Sequence, residues 1–178
     1  MPKKESVAIG KLSEHRVITD ASPEAQELNH KNRFGTMLEG GSVQLNLHEA
    51  LYLLEKGKLQ IKEGRKKISF DTLVEKATAA EPLFWIKYCV YRDMRGRGYV
   101  LKTALKFGAD FRVYDRGVKP GEEHAKWLLY PVQESDALTW QDFAAKNRVA
   151  HSTKKNLLIG IVDEENSVTY YEIRWRRP

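Results

Sequence analysis

Apolar residues recur along this chain at spacings that define its elements. Leu47, Ala50, Leu51 and Leu54 fall on one helical face. Asn46 precedes them as a cap, Glu49 stands three residues on as in a capping box, and Gly57 closes the segment, so a helix is predicted over 46–55. Phe70 to Ala79 predicts another helix, with Asp71 near its start. A short one is expected after Ser22, with Pro23 at its first position. Pro82 opens a longer helix, predicted to run to Met94 on Phe84, Ile86, Val90 and Met94 and to fail at Arg95-Gly-Arg-Gly98. Thr139 caps a helix through Ala150, with Asp142 in the reciprocal position.

Between these lie extended pieces. Residues 6–19 suit a strand pair, Gly40-Gly41 a turn, and Leu59-Gln-Ile61 a short strand. Phe111-Arg-Val-Tyr114 alternates with period two, and Lys126 to Val132 is a further extended run. Leu157 to Val162, the turn 163–167 and Val168 to Arg174 make a hairpin. The fold class expected is mixed α/β (α+β). A small N-terminal α/β domain would span 1–82. A second domain over 83–178 would hold a central mixed sheet flanked by helices, with Glu81-Pro82 as the boundary.

Composition narrows the setting. The chain has 178 residues and one cysteine, Cys89. That allows no intrachain disulfide framework and fits a reducing compartment. Cys89 reads as a buried small apolar residue within Phe84 to Val90. No segment approaches the roughly 18 uninterrupted apolar residues of a membrane span. Met1-Pro-Lys-Lys-Glu-Ser carries no apolar stretch behind its charges, so no signal peptide is expected. A soluble, cytoplasmic protein is the expectation. Net charge is +6; residues 1–82 contribute +1 and residues 83–178 contribute +5. The basic excess of the second half favours a polyanion, though it also serves plain solubility.

That second half holds candidates for one particular chemistry. RNA carries its own nucleophile, the 2'-hydroxyl. Using it needs a base for the hydroxyl proton, an acid for the departing 5'-oxygen and a cation for the charge built up on phosphorus. Tyrosine, histidine and lysine can fill such roles without a metal. Tyr114 ends a predicted strand beside a loop, where functional groups are often found. His124 follows Gly121-Glu-Glu and opens a strand, and an ordinary histidine holds and releases a proton near neutrality. Lys155 sits between a helix and a strand, with Lys154 as its neighbour and rival.

Other patterns lead nowhere. His151-Ser152 lacks any G-x-S-x-G context. Gly96 and Gly98 form no dinucleotide fingerprint. His15, His30 and His48 lack metal-ligand spacing. A metal-dependent nuclease pattern wants an acid two positions before a lysine; no lysine here has one, and Glu172-Ile-Arg174 is the nearest variant. Arg95, Arg97, Lys102, Lys106 and Arg116 suit either phosphates or a solvated face.

The motifs Tyr91-Arg-Asp-Met-Arg-Gly-Arg-Gly-Tyr99, Leu105 to Phe111, Phe111-Arg-Val-Tyr114-Asp-Arg-Gly117, His124-Ala-Lys-Trp-Leu-Leu129 and Arg148-Val-Ala-His151-Ser-Thr-Lys-Lys155 carry a resemblance. In order and spacing they are similar to the archaeal tRNA-splicing endonuclease family (tRNA-intron endonucleases), of the short homotetrameric type. The similarity extends more weakly through Leu47 to Gly57. It implies a nuclease-type C-terminal domain and cleavage of precursor tRNA at bulge–helix–bulge junctions. It also implies 2',3'-cyclic phosphate and 5'-hydroxyl ends, with no metal and no other cofactor. By resemblance Tyr114 is the base, His124 the acid, and Lys155, by register, the phosphate-stabilising cation. Arg148 resembles the arginine that clamps a flipped bulge base from a neighbouring subunit, with Trp175 and Arg176 as further candidates for that clamp. The acidic tip Asp163-Glu164-Glu165 would enter a basic pocket of a partner subunit and build the tetramer. A last strand from Val168 to Trp175, apolar on both faces, suits an edge or interface. The competing expectation is a non-catalytic RNA-binding or scaffold subunit; such subunits lose the triad, and this chain keeps it.

Overall fold

The computed structural model describes residues 7–178; the charged start, read above as no signal peptide, lies outside them. The chain divides into two compact units, 1–84 and 85–178.

The first unit opens with a hairpin of β1 (Ala8–Ser13) and β2 (Arg16–Thr19). Its two-residue turn puts Glu14 in the left-handed region (φ 53°). Helix α1 (Pro23–His30) starts as predicted, with Ser22 accepting from the Ala25 amide and Pro23 at the first position. Strands β3 (Thr36–Met37) and β4 (Val43–Asn46) lead into α2 (Leu47–Glu55). The capping box forms: Asn46 accepts from the Glu49 amide, and Glu49 accepts from the Asn46 amide. The buried side of α2 is Glu49, Ala50, Leu51 and Leu53, while Leu47 and Leu54 are only half-buried. The buried stripe is rotated from the predicted one toward Leu53, which is fully buried, and the helix packs against β5 (Leu59–Glu63), β2 and β4. Strand β6 (Lys66–Ile68) and helix α3 (Phe70–Ala80), capped by Ser69, complete the unit. The sheet order is β3-β4-β2-β1-β5-β6, with β1 and β5 parallel. Strands β3, β4 and β6 are too short for their alternation to be legible in the sequence.

Helix α4 spans Phe84–Gly96, all but its first residue in the second unit, starting two residues later than Pro82 because a turn closed by the Phe84 amide on the Glu81 carbonyl precedes it. The sheet comprises β7 (Val100–Thr103), β8 (Phe111–Tyr114), β9 (Trp127–Gln133), β10 (Asn156–Val162) and β11 (Val168–Ile173), in the order β11-β10-β9-β8-β7. A 3-10 turn, Leu105–Phe107, links β7 to β8. β9 and β10 are parallel, so they need a crossover, and α5 (Trp140–Ser152) supplies it under its Thr139 cap. Both sheets are mixed, and the fold class is mixed α/β as expected.

Helices cover both faces of this sheet. Ala150 of α5 packs with Leu128, Tyr130, Leu157 and Ile159 on one face. On the other, Tyr91 of α4 meets Phe111, their rings 5.7 Å apart. Gly160 admits α4: a Cβ there would lie 3.1 Å from Val90 and 3.3 Å from Tyr170. The Tyr170 hydroxyl donates to Asp93 at 2.8 Å; burial and that carboxylate hold the phenol well above its usual range. Cys89 is buried. Among the described residues, no helix is long and apolar enough to cross a membrane.

Candidate active site

Three chain segments meet at one end of the second unit's sheet. The first is the end of β8. Phe111 and Val113 point toward α4, so by the period of two Arg112 and Tyr114 point to the other face. Tyr114 is 4% exposed and packs with Val100, its cross-strand partner, and with Ala125. The chain then turns. Asp115 accepts from the Arg116 amide at 2.9 Å and from Lys126 at 3.2 Å, which together keep its carboxyl below the usual range. Gly117 (φ 78°) completes the turn.

The second segment is the return loop. Gly121 (φ 98°) sits at its bend, and the Lys126 amide, donating to the Val113 carbonyl at 2.9 Å, ties it back to β8. His124 lies in this loop, exposed; it does not open a strand, because β9 begins only at Trp127.

The third is the junction after α5. The helix ends in a Schellman motif: the Lys154 amide donates to the His151 carbonyl and the Lys155 amide to the Ala150 carbonyl. This geometry puts Lys154 in the left-handed region (φ 57°), exposed, where glycine is usual. It turns Lys155 inward. The Asn156 amide then donates to the Lys126 carbonyl at 2.9 Å, locking the junction against the start of β9. The Lys155 ammonium donates to the Thr153 carbonyl at 3.0 Å and lies 5.3 Å from the Phe107 ring centre. Burial first, and the neighbouring Arg112 charge second, hold Lys155 below an ordinary lysine.

The three segments enclose a cleft of about 610 Å³, lined by Tyr114, His124 and Lys155 together with Arg112, Lys106 and Phe107. Tyr114, His124 and Lys155 are thus brought together, and Lys154, the rival lysine, is not. Of the five further basic candidates, Lys106 alone is among the residues lining it. Arg95 donates to the Tyr99 carbonyl, Arg97 pairs with Asp93, and Arg116 lies 4.9 Å over the Tyr99 ring. Arg112 was not singled out from the sequence, although its place two residues before Tyr114 puts both on one face of a strand. Among the described residues no group of three or more histidines, cysteines or carboxylates could hold a metal ion.

The remaining predicted residues lie elsewhere. Arg148 is exposed on α5, one turn before His151. The His151 ring packs 4.7 Å from Trp175, which lies beyond β11 and is about half exposed. Arg176 follows it, also exposed. The acidic tip divides. Asp163 is spent within the hairpin, accepting from the Glu165 and Ser167 amides, while Glu164 and Glu165 are exposed. Asn166 (φ 64°) anchors the turn by accepting from Trp85 at 2.7 Å.

Comparison with known proteins gives consistent matches. Residues 84–170 match the family model for the tRNA intron endonuclease catalytic C-terminal domain, and residues 8–74 match that for the tRNA intron endonuclease N-terminal domain. The chain is 43% identical over 164 residues to a tRNA-splicing endonuclease of Thermococcus kodakarensis, covering 92% of this chain and 95% of that protein. It is 45% identical over 151 residues to one of Nanoarchaeum equitans, covering 82% and 97%. It is 39% identical over 169 residues to one of Methanothermobacter thermautotrophicus, covering 95% and 98%.

Proposed function

This chain belongs to the tRNA intron endonuclease family and is an endonuclease, and from that premise we propose that it excises introns from precursor tRNA at bulge–helix–bulge splice sites by metal-free chemistry. One observation carries the reading: Tyr114, His124 and Lys155, from three separate segments, line one cleft.

The steps follow from what RNA supplies. Tyr114 takes the 2'-hydroxyl proton, and the 2'-oxygen attacks the adjacent phosphorus. His124 delivers a proton to the 5'-oxygen as its bond to phosphorus breaks. The products are a 2',3'-cyclic phosphate and a 5'-hydroxyl, and no proton is gained or lost overall. Each positioned proton transfer contributes about 10²–10⁴-fold. Lys155 meets the charge on the nonbridging oxygens of the pentacovalent phosphorus, and its partial burial strengthens that contact. His124 suits the acid because it is exposed at the rim, where substrate and solvent both reach it.

Four copies would assemble, with the exposed Glu164 and Glu165 entering a basic pocket of a neighbouring subunit. Arg148, with Trp175 and Arg176 beside the same end of α5, would hold a splayed bulge base in a neighbour's site by stacking and cation–π contact.

The test is cleavage of an intron-containing precursor tRNA in excess EDTA, with the ends analysed. Cyclic phosphate and 5'-hydroxyl ends at the bulges are expected. Cutting that returns only with magnesium would overturn the chemistry; no cutting under either condition would leave an RNA-binding subunit.

A further inference from the structure

Arg112 lines the cleft, and neither the motif nor the comparisons give it a role. It lies on β8 between Lys102 of β7 and Leu128 of β9. Its Nε–H is buried and has no hydrogen-bond partner. Nearby acids are engaged with other cations: Asp110 pairs with Lys87 at 2.7 Å, and Asp115 with Lys126 at 3.2 Å. At the rim, Glu122 pairs with Lys119, and Glu123 is exposed. Its guanidinium carbon lies 5.9 Å from the Tyr114 ring centre, so the group sits beside the residue read as the base.

Such an arrangement is unfavourable without a ligand. A withdrawn guanidinium with an unmet donor shares a cleft with an ammonium that its charge opposes. An anion between them relieves both costs at once. The planar fork of a guanidinium matches two oxygens of a phosphodiester, which a single ammonium does not. We infer that Arg112 is a further substrate-contacting residue, donating to the nonbridging oxygens of the scissile phosphodiester beside Lys155. The inference rests on the proposed reading that an RNA phosphodiester enters this cleft. Lys155 then meets the charge developing at phosphorus, and Arg112 fixes the phosphorus in line for attack.

Arg112→Gln and Arg112→Lys in the full chain test it, using single-turnover cleavage of precursor tRNA. Two substrates are compared, one normal and one with sulfur replacing a nonbridging oxygen at the cut. Arg112→Gln should slow cutting about 100-fold, the scale of losing one donor to a charged transition state. Arg112→Lys should recover part of that loss. The sulfur substitution should slow the parent protein and have much less effect on Arg112→Gln, because the contact it disturbs is gone. A merely structural arginine would leave the sulfur effect unchanged in both variants, and that result overturns the inference. So does Arg112→Gln cutting within about two-fold of the parent. If the parent itself does not cut precursor tRNA, the proposed function fails as well, which separates the two failures.

Discussion

Glu49 in the first unit and Arg112 in the second are both charged side chains drawn back from water, and their surroundings differ. Glu49 is 2% exposed and saturated: one carboxylate oxygen accepts from the Gly35 amide at 2.9 Å and the other from the Asn46 amide at 3.0 Å. It closes a capping box and pins the loop before β3. Arg112 keeps a buried donor unmet and faces a second cation. Buried polar groups that serve the fold are normally satisfied by it, and an unmet one needs its own explanation. The unmet donor of Arg112 lies in the cleft that also holds Tyr114, His124 and Lys155.

Removing the exposed histidine proposed as the acid should give the largest effect. His124→Ala should lower the single-turnover rate by about 10²–10⁴-fold while RNA affinity and Tm hold, since the residue is exposed and outside the sheet. Cutting within ten-fold of the parent would mean the proton comes from elsewhere. The opposite result should come from the saturated group. Glu49→Ala strands the Gly35 and Asn46 amides while leaving the Asn46 side-chain cap in place, costing about 2–4 kcal/mol in denaturant unfolding, with cleavage per folded molecule unchanged. A loss below 1 kcal/mol would show that water replaces the carboxylate easily.

The two neighbouring lysines sharpen the contrast at smaller scale. Lys154→Gly relieves a left-handed residue and should stabilise by about 1 kcal/mol without altering cleavage. Lys155→Met should also raise Tm near neutral pH, yet abolish most cutting. The sign follows from its lowered pKa. The unfolded chain holds that proton more tightly, so at neutral pH the folded state carries the full penalty of the charged form. The penalty fades only as pH rises from the lowered value toward that of an ordinary lysine. Equal Tm for parent and Lys155→Met across that range would refute the account.

Much of this was legible in the sequence because it depends on local pattern. Ser22, Asn46 and Thr139 cap the helices they were expected to cap, each by an interaction spanning three residues. Strand β8, ending at Tyr114, was visible in the apolar–polar–apolar run of Phe111, Arg112 and Val113. What escaped depends on distant packing. The rotation of α2 onto Leu53 goes with its packing against elements on both sides of it in the sequence. The start of β9 at Trp127 rather than at His124 is set by a loop tied back to Val113. Arg112 escaped because nothing local says that a strand arginine will lack a counter-ion. Only the assembled sheet shows which carboxylates are already engaged.

The parallel pairing of β9 with β10 has a consequence for the order in which the molecule becomes active. Tyr114 and His124 precede the crossover helix, and Lys155 follows it. A growing chain that has emerged only through β9 holds the first two residues but not the cation, and its sheet lacks the interior strand that positions the junction. Pairing across such a separation is among the slower events of folding. Recovery of cutting during refolding should therefore trail the return of helical signal, so that an immature chain meets RNA before it is able to cleave it.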